Sequence, residues 1–456
     1  MNYQEFIEKK KITIQSSGFE PTQINPILFD FQRDIVRWAC KKGKSCIFAG
    51  TGLGKTFMQV EWARLVHEHI KNPVLIVAPL AVSVQTIGEA KKIGVTVNLC
   101  KEAADVGPGI NITNYERLEK FIDMDWGAVV LDESSILKSS TGQTRTAIIE
   151  MFANTPYKLA CTATPAPNDY TELGNHAEFI GVMNLTEMLA MFFTHDGGDT
   201  AKWRIKGHAV TRFWQWVAGW AVMMTKPADL GYDNSQYDLP PLNIQQITVC
   251  TEPKEHEVFV LEAQTLQERQ QARRDSIEER VQAAADIVAQ NPDEIWMIWC
   301  NLNSESELLK KALDAVEVKG ADSNDHKERS MIDFAAGKIG RLVSKPSICG
   351  FGMNFQVCHN VIFVGLSDSF EEYYQAVRRC WRFGQTEQVN VYVVTADREG
   401  AVVANIERKE RDFNAMLTGM ISATQEITKE NIQGTGRDET EYAAHQKMIL
   451  PEWMAV

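Results

Sequence analysis

The segment Ala49-Gly50-Thr51-Gly52-Leu53-Gly54-Lys55-Thr56 restricts this chain more than any other feature. It follows a short apolar run, Ser45 to Phe48, and opens a helical pattern from Phe57 to His69. That is the strand–loop–helix context a phosphate-binding loop requires. Its glycines let backbone N–H groups face phosphate oxygens, and the helix N-terminus adds the positive end of its dipole. Gly50, Thr51, Gly52, Leu53 and Gly54 would form the cradle. Lys55 would reach the β- and γ-phosphates of ATP, and the Thr56 hydroxyl would ligate Mg2+. The strict pattern has Gly where this chain has Ala49.

Such a loop belongs to a parallel sheet, and the rest of the chain reads as two of them. Ser45–Phe48, Val74–Ala78, Val129–Leu131 and Lys158–Ala160 are strand-like, with helical patterns between. The alternation recurs at Ile295–Trp299, Val316–Val318, Arg341–Val343, Val361–Val364 and Val389–Val394. The predicted class is α/β, with two parallel-sheet lobes and a small helical insertion in the first. The insertion spans about 184–232, where Phe213, Val217 and Trp220 share a helical face, best read as a packed protrusion and not as a stacking surface for bases. Glu255 to Gln290 reads as a long helix entering the second lobe. The expected boundaries are an N-terminal segment 1–20, a first lobe 21–240, a linker 241–260, a second lobe 261–425 and a polar tail 426–456.

Composition removes several classes. No run of about 18 apolar residues occurs and Met1 to Gln15 is polar, so neither a membrane span nor a secretory signal is expected. The nine cysteines include no Cys-x-x-Cys pair, a pattern of reduced thiols in a cytosolic protein and not of a zinc site. A net charge of −13 argues against a protein that coats nucleic acid, although a local basic groove would suffice for phosphate contact.

Two further constellations carry chemistry. Val129-Val130-Leu131-Asp132-Glu133 delivers two carboxylates at the end of a strand, where ligands sit in open α/β sheets. Asp132 would hold Mg2+, and Glu133 would orient and deprotonate the attacking water. Near the C-terminus, Arg379 and Arg382 lie three apart and would point from one helical face. A guanidinium so presented stabilises charge on a transferred phosphoryl group.

In this order the motifs resemble helicase superfamily two, and within it the Swi/Snf-like ATPases, over roughly Pro26 to Val394. "LFDFQRDIV" is similar to the family's leading aromatic-Gln, which implies that Gln32 contacts adenine. "LIVAPLAVSVQT" resembles motif Ia, and "NITNYERL" resembles Ib, implying a nucleic-acid contact at Asn114. "DESSILKS" has Ser135 where the family usually has His. "CTATPAPN" resembles motif III, with Thr162 and Thr164 coupling the ATP site to the nucleic-acid groove. "IWMIWCNLNSESELLKKAL" resembles motif IV, and "SKPSICGFGMNF" resembles motif V, implying nucleotide contacts at Gly352 and Asn354. The latter has one extra residue before Gly350 and lacks the usual Arg. "QAVRRCWRFGQ" is similar to the most subgroup-specific motif and adds Gln375 to the nucleotide site.

The resemblance implies two RecA-like lobes that hydrolyse ATP between them and translocate on DNA, double-stranded by its subgroup. It implies a compact motor of the bacterial or phage kind, working in the cytoplasm of a bacterial or phage-infected cell. A targeting or nuclease partner protein is left open. Lys202, Arg204 and Lys206 offer further nucleic-acid contacts, or else a solvated charged loop. Strand separation, an RNA track and an ATP-gated clamp that never steps stand as alternatives.

Overall fold

The structure is a computed structural model describing residues 16–138, 142–196, 199–235, 237–251, 266–349 and 353–433. The first lobe runs β1 (Lys44–Ala49), β2 (Val74–Ala78), β3 (Val97–Leu99), β4 (Ile110–Asn114), β5 (Ala128–Asp132) and β6 (Tyr157–Thr162). An antiparallel hairpin of β7 (Phe193–Asp196) and β8 (Asp199–Ile205) follows, and then β9 (Ala221–Met224). The sheet order is β3-β4-β2-β5-β6-β1-β9, and every pairing in it is parallel. β2 and β5 are apolar without alternation and wholly buried, as helices on both faces of a parallel sheet demand.

The second lobe carries β10 (Leu242–Val249), β11 (Trp296–Cys300), β12 (Val316–Val318), β13 (Arg341–Ser344), β14 (Asn360–Val364) and β15 (Val389–Ala396). Their order is β10-β15-β14-β11-β13-β12, again all parallel. Each sheet has an apolar core on both faces. The two-lobed α/β architecture is therefore the expected one.

Several details differ. Residues 184–232 hold two helices, Leu185–Phe192 and Val210–Ala218, but also the hairpin and the outermost strand of the first sheet. Ala221-Val222-Met223-Met224 has no strong strand preference; pairing with β1 and complete burial fix it as β9. The aromatic face is packed as expected, with Phe213 against Phe192 at 5.4 Å and Trp216 against Trp220 at 5.3 Å. Leu242–Val249, expected as linker, is the edge strand of the second sheet. Its half-exposed, polar-interrupted sequence suits an edge and conceals it from a search for apolar runs. The long helical pattern before β11 breaks at Ser276 into Leu266–Asp275 and Ile277–Gln290, and its first part falls outside the described residues.

The boundary at 425 also moves. One helix runs Gly400–Gln433, past the expected start of the tail. Val402, Ile406 and Phe413 pack into the second lobe's core. Met420 and Ile421 then enter the first lobe's core on one side of its sheet, and Ile432 enters it on the other. Polar residues such as Thr424 and Thr428 are buried along the same stripe, which hides the helix from a composition-based reading.

Candidate active site between the lobes

The phosphate loop links β1 to the helix Lys55–Ile70. Gly52 and Gly54 have φ of 87° and 75°, a region that L side chains rarely adopt. Gly54 is also the helix N-cap, and a Cβ there would lie 2.3 Å from Nε2 of Gln32. Gln32 is buried and ties the loop down: Nε2 donates to the Leu53 carbonyl at 3.0 Å, and Oε1 accepts from Phe29 N–H at 3.0 Å. Lys55 Nζ donates to the carbonyls of Ala49 at 2.9 Å and Gly50 at 3.3 Å. Burial lowers the Lys55 pKa, while Glu133 and Asp132 oppose the shift.

β5 delivers Asp132 and Glu133 beside this loop. Asp132 Oδ1 accepts from Gln59 Nε2 at 2.7 Å and from Glu133 N–H at 3.1 Å. Tyr115 donates its hydroxyl to the Asp132 carbonyl at 2.7 Å. Glu133 has φ 52°, rare for a residue with a side chain. The next residue helps to hold it there: Ser134 Oγ meets Nε2 of the buried His176, from the helix Leu173–Ile180. Burial pushes the pKa of both carboxyls up; the main opposing influence is Gln59 at Asp132 and Lys55 at Glu133. A raised carboxylate pKa brings a general base nearer its optimum at neutral pH.

The second lobe faces these groups with the helix Phe370–Cys380 and the loop after it. Arg379 is buried and held by Gln375, Nη2 donating to Oε1 at 2.9 Å, and by the Met353 carbonyl at 3.2 Å. Arg382 is pushed down to about 9, first by burial and then by Arg379. Its Nε is buried without a hydrogen-bond partner. Arg378 points elsewhere, its guanidinium 4.2 Å from the Trp381 ring centroid. Phe383 closes on the phosphate loop, so that a Cβ at Gly52 would come within 2.9 Å of it. Tyr237 stacks on Phe383 at 4.8 Å and meets Phe29 at 5.7 Å, giving the loop an aromatic wall.

Four more buried polar atoms near this cleft have no partner: Thr51 Oγ1, Gln59 Oε1, Asn354 Oδ1 and Gln375 Nε2. Buried polar groups are normally satisfied, so orphans clustered around a glycine cradle mark a place for a polar ligand. The donors fit a nucleotide triphosphate. Among the described residues no three His, Cys, Asp or Glu side chains cluster as a metal cage. One hydroxyl (Thr56) and one carboxylate (Asp132) beside phosphate oxygens form the kind of set that holds Mg2+.

Motif III lies between the two lobes. Thr162 Oγ1 donates to Glu133 Oε2 at 3.5 Å and accepts from Thr164 N–H at 3.1 Å, and Thr164 Oγ1 meets Glu371 of the second lobe at 3.4 Å. Alongside runs a cleft of about 670 Å3, lined by Leu80, Val84 and Ile136 from the first lobe and Met331, Ile332 and Ile348 from the second.

The expected nucleic-acid residues fare differently. Asn114 is buried at the end of β4 and presents no surface to a strand, whereas the adjacent Tyr115 and Glu116 line the cleft. Lys206 caps the helix Leu185–Phe192, donating to the Ala190 carbonyl at 2.6 Å, so its charge is already engaged. Lys202 and Arg204 lie on β8, away from the phosphate loop in sequence and sheet. Gly352 lies outside the described residues. Sequence reasoning missed Gln59, Tyr115, His176, Glu371 and Phe383. Of these, Tyr115 and Phe383 stand inside the quoted motifs, and Glu371 lies four and eight residues before Gln375 and Arg379 on the same helix; Gln59 and His176 left no signal.

Family comparison agrees with this geometry. Residues 31–196 match the SNF2-related domain, and residues 279–384 match the helicase conserved C-terminal domain. The chain belongs to the Swi/Snf-like ATPases of helicase superfamily two. As a member of that family it is an ATP hydrolase, and the two matches fall on the two lobes. This Swi/Snf-like ATPase is 24% identical to protein p41 of Acyrthosiphon pisum secondary endosymbiont phage 1, over 85% of this chain and 97% of p41. Among solved structures it is similar to the Sulfolobus solfataricus SWI2/SNF2 ATPase core in complex with dsDNA, at 16% identity and a TM-score of 0.43, covering 91% of this chain and 98% of that one. Among the described residues, no helix is long and apolar enough to cross a membrane.

Proposed function

We propose that the chain is an ATP-driven motor that translocates on double-stranded DNA. The observation that carries this reading is the placement of the buried Arg379 and the half-buried Arg382, both from the second lobe, close enough to act electrostatically on Asp132, Glu133 and Lys55 of the first. A cleft built from both lobes hydrolyses efficiently only when they are together, so turnover and lobe movement are linked.

In this reading the Gly50–Thr56 backbone cradles the phosphates, with Lys55 leaving its loop carbonyls to meet the β- and γ-oxygens. Thr56 and Asp132 would hold Mg2+, which would supply positive charge to offset that of the phosphates. Glu133 takes the proton of the attacking water, assisted by its raised pKa. Arg379 and Arg382 stabilise charge on the γ-phosphoryl oxygens, Arg382 through the Nε that has no protein partner. Gln32 steadies the loop from the adenine side, while Asn354 and Gln375 complete the nucleotide's surroundings. Thr162 and Thr164 transmit the state of Glu133 to the second lobe.

DNA lies across both lobes, along the cleft bordered by the Ia, Ib and V segments, held by phosphate contacts that carry no sequence information. The SNF2-related match and the Arg382-Phe383-Gly384-Gln385 ending of the last motif favour duplex DNA over RNA. The test is the steady-state ATPase rate alone and with single-stranded DNA, duplex DNA and duplex RNA, followed by triplex-strand displacement. Stimulation by duplex DNA together with displacement supports the motor. Equal rates in all four conditions would remove DNA as the track, and stimulation without displacement would leave a clamp.

A further inference from the structure

Glu371 stands on the first turn of the helix Phe370–Cys380, whose Gln375 and Arg379 follow at four-residue intervals along one stripe. Its side chain is 7% exposed, yet it is a carboxylate, and it reaches out of its own lobe. One oxygen forms an ion pair with Lys138 Nζ, at the end of the turn that begins after Glu133. The other meets Thr164 Oγ1 at 3.4 Å. Thr164 N–H in turn donates to Thr162 Oγ1, which touches Glu133. On its own helix, Gln375 Oε1 accepts from Arg379 Nη2 at 2.9 Å.

We propose that Glu371 is a positioning residue that docks the arginine-bearing helix of the second lobe onto the Glu133 loop of the first, through Lys138 and Thr164. The proposal rests on the functional reading above for the roles of Glu133 and Arg379. Without such a contact, nothing in the helix itself fixes the distance from its arginines to the base, and small displacements of reacting groups are costly in rate.

Lys138 does a second job in this arrangement. Glu371 adds to the upward pressure on the Glu133 pKa, because two carboxylates in one cleft repel. The Lys138 ammonium offsets that repulsion, which allows the arginine-bearing helix Phe370–Cys380 to approach. A carboxylate retained only for stability would be an odd choice here, since a buried ion pair is often no better than apolar packing. The neighbouring cleft wall, with Ile136 and Met353, already supplies such packing partners.

The experiment measures kcat and the KM for ATP at saturating duplex DNA and without DNA. Glu371→Gln keeps the side-chain shape but drops the charge. We expect its kcat to fall about tenfold or more, with KM for ATP changed by less than about threefold. Lys138→Met, on the more exposed partner, should behave alike. The exchange Glu371→Lys/Lys138→Glu should turn over faster than either of its single variants, and Glu371→Gln should keep the wild-type urea midpoint while losing kcat, as loss of a purely structural carboxylate would not.

Wild-type kcat in Glu371→Gln, or an exchange no faster than its single variants, overturns the proposal. If Glu371→Gln does not fold, Lys138→Met and the exchange are read by the same criteria. An inactive wild-type chain would instead overturn the proposed function, so the two failures are distinguishable.

Discussion

His176 and Ser134 come from elements 42 residues apart in sequence and meet at 3.1 Å between Nε2 and Oγ, wholly shielded from solvent. Burial holds the imidazole at a pKa of about 4, against weaker opposing pulls from the backbone of Glu172 and Ser134. The folded protein therefore keeps this ring neutral where the unfolded chain, with an ordinary histidine, takes up a proton.

This sets a pH dependence with a definite sign. The folded pKa lies below the unfolded one, so the neutral ring's contribution is complete above about pH 6.5 and is lost as pH falls towards 4. Between pH 7 and pH 5 the loss should be about 2 kcal/mol. Urea unfolding at the two pH values should show that loss in the wild type and a smaller one in His176→Gln, which can still reach Ser134. An equal loss in both would mean that other groups govern the acid limb.

Glu133→Gln should bind ATP with near wild-type affinity while kcat falls by about 10² or more, the usual worth of a positioned general base. Nucleotide binding by fluorescence and a single-turnover assay separate the two effects. Wild-type-like turnover would move the base elsewhere.

Arg378 and Arg379, on the last turn of the helix Phe370–Cys380, and Arg382, in the loop after it and not on the expected helical face, should divide sharply. Arg379→Ala and Arg382→Ala should lower kcat by about 10³ with modest change in KM. Arg378→Ala should lose at most severalfold, because its guanidinium is stacked on Trp381 and Tyr374 and not turned to the cleft. Steady-state kinetics of the three variants at saturating DNA decides.

Much of the chemistry was legible because it is local. The phosphate loop, Asp132-Glu133 and the two arginines are contiguous motifs whose spacing carries their geometry. Strands that are continuous apolar runs were equally clear, β2 and β5 above all. What escaped depends on distant partners. β4 reads Ile-Asn-Ile-Thr-Asn, and its buried Asn111 is tolerable because Asn98 of β3 and Cys100 just after it donate to its amide oxygen, which with its NH2 also bonds the Gly107 and Gly109 backbone. His176 matters only because the fold brings it to Ser134, and no spacing announces that. Lys206 reads in sequence as a nucleic-acid contact or a solvated loop charge, and nothing there announces its hydrogen bonds to the Ala190 and Met191 carbonyls at the end of a preceding helix.

Thr162→Val should remove the link between Glu133 and Thr164 while preserving volume. Basal kcat should fall about tenfold, and the Thr164 N–H left without an acceptor should cost about 1–3 kcal/mol in thermal unfolding. Unchanged values of both would show that the relay is not used.

The helix Gly400–Gln433 also dictates an order of assembly. The first lobe takes Met420, Ile421 and Ile432 into its own cores, so its apolar interior is finished by residues that leave the ribosome after the entire second lobe. During synthesis the phosphate loop waits in an incomplete body, and the same segment that closes that body also threads it to its partner. Maturation of the nucleotide site and joining of the lobes are thus a single late event, and a gene fragment ending before that helix would yield a first lobe with a greasy furrow where its last rib belongs.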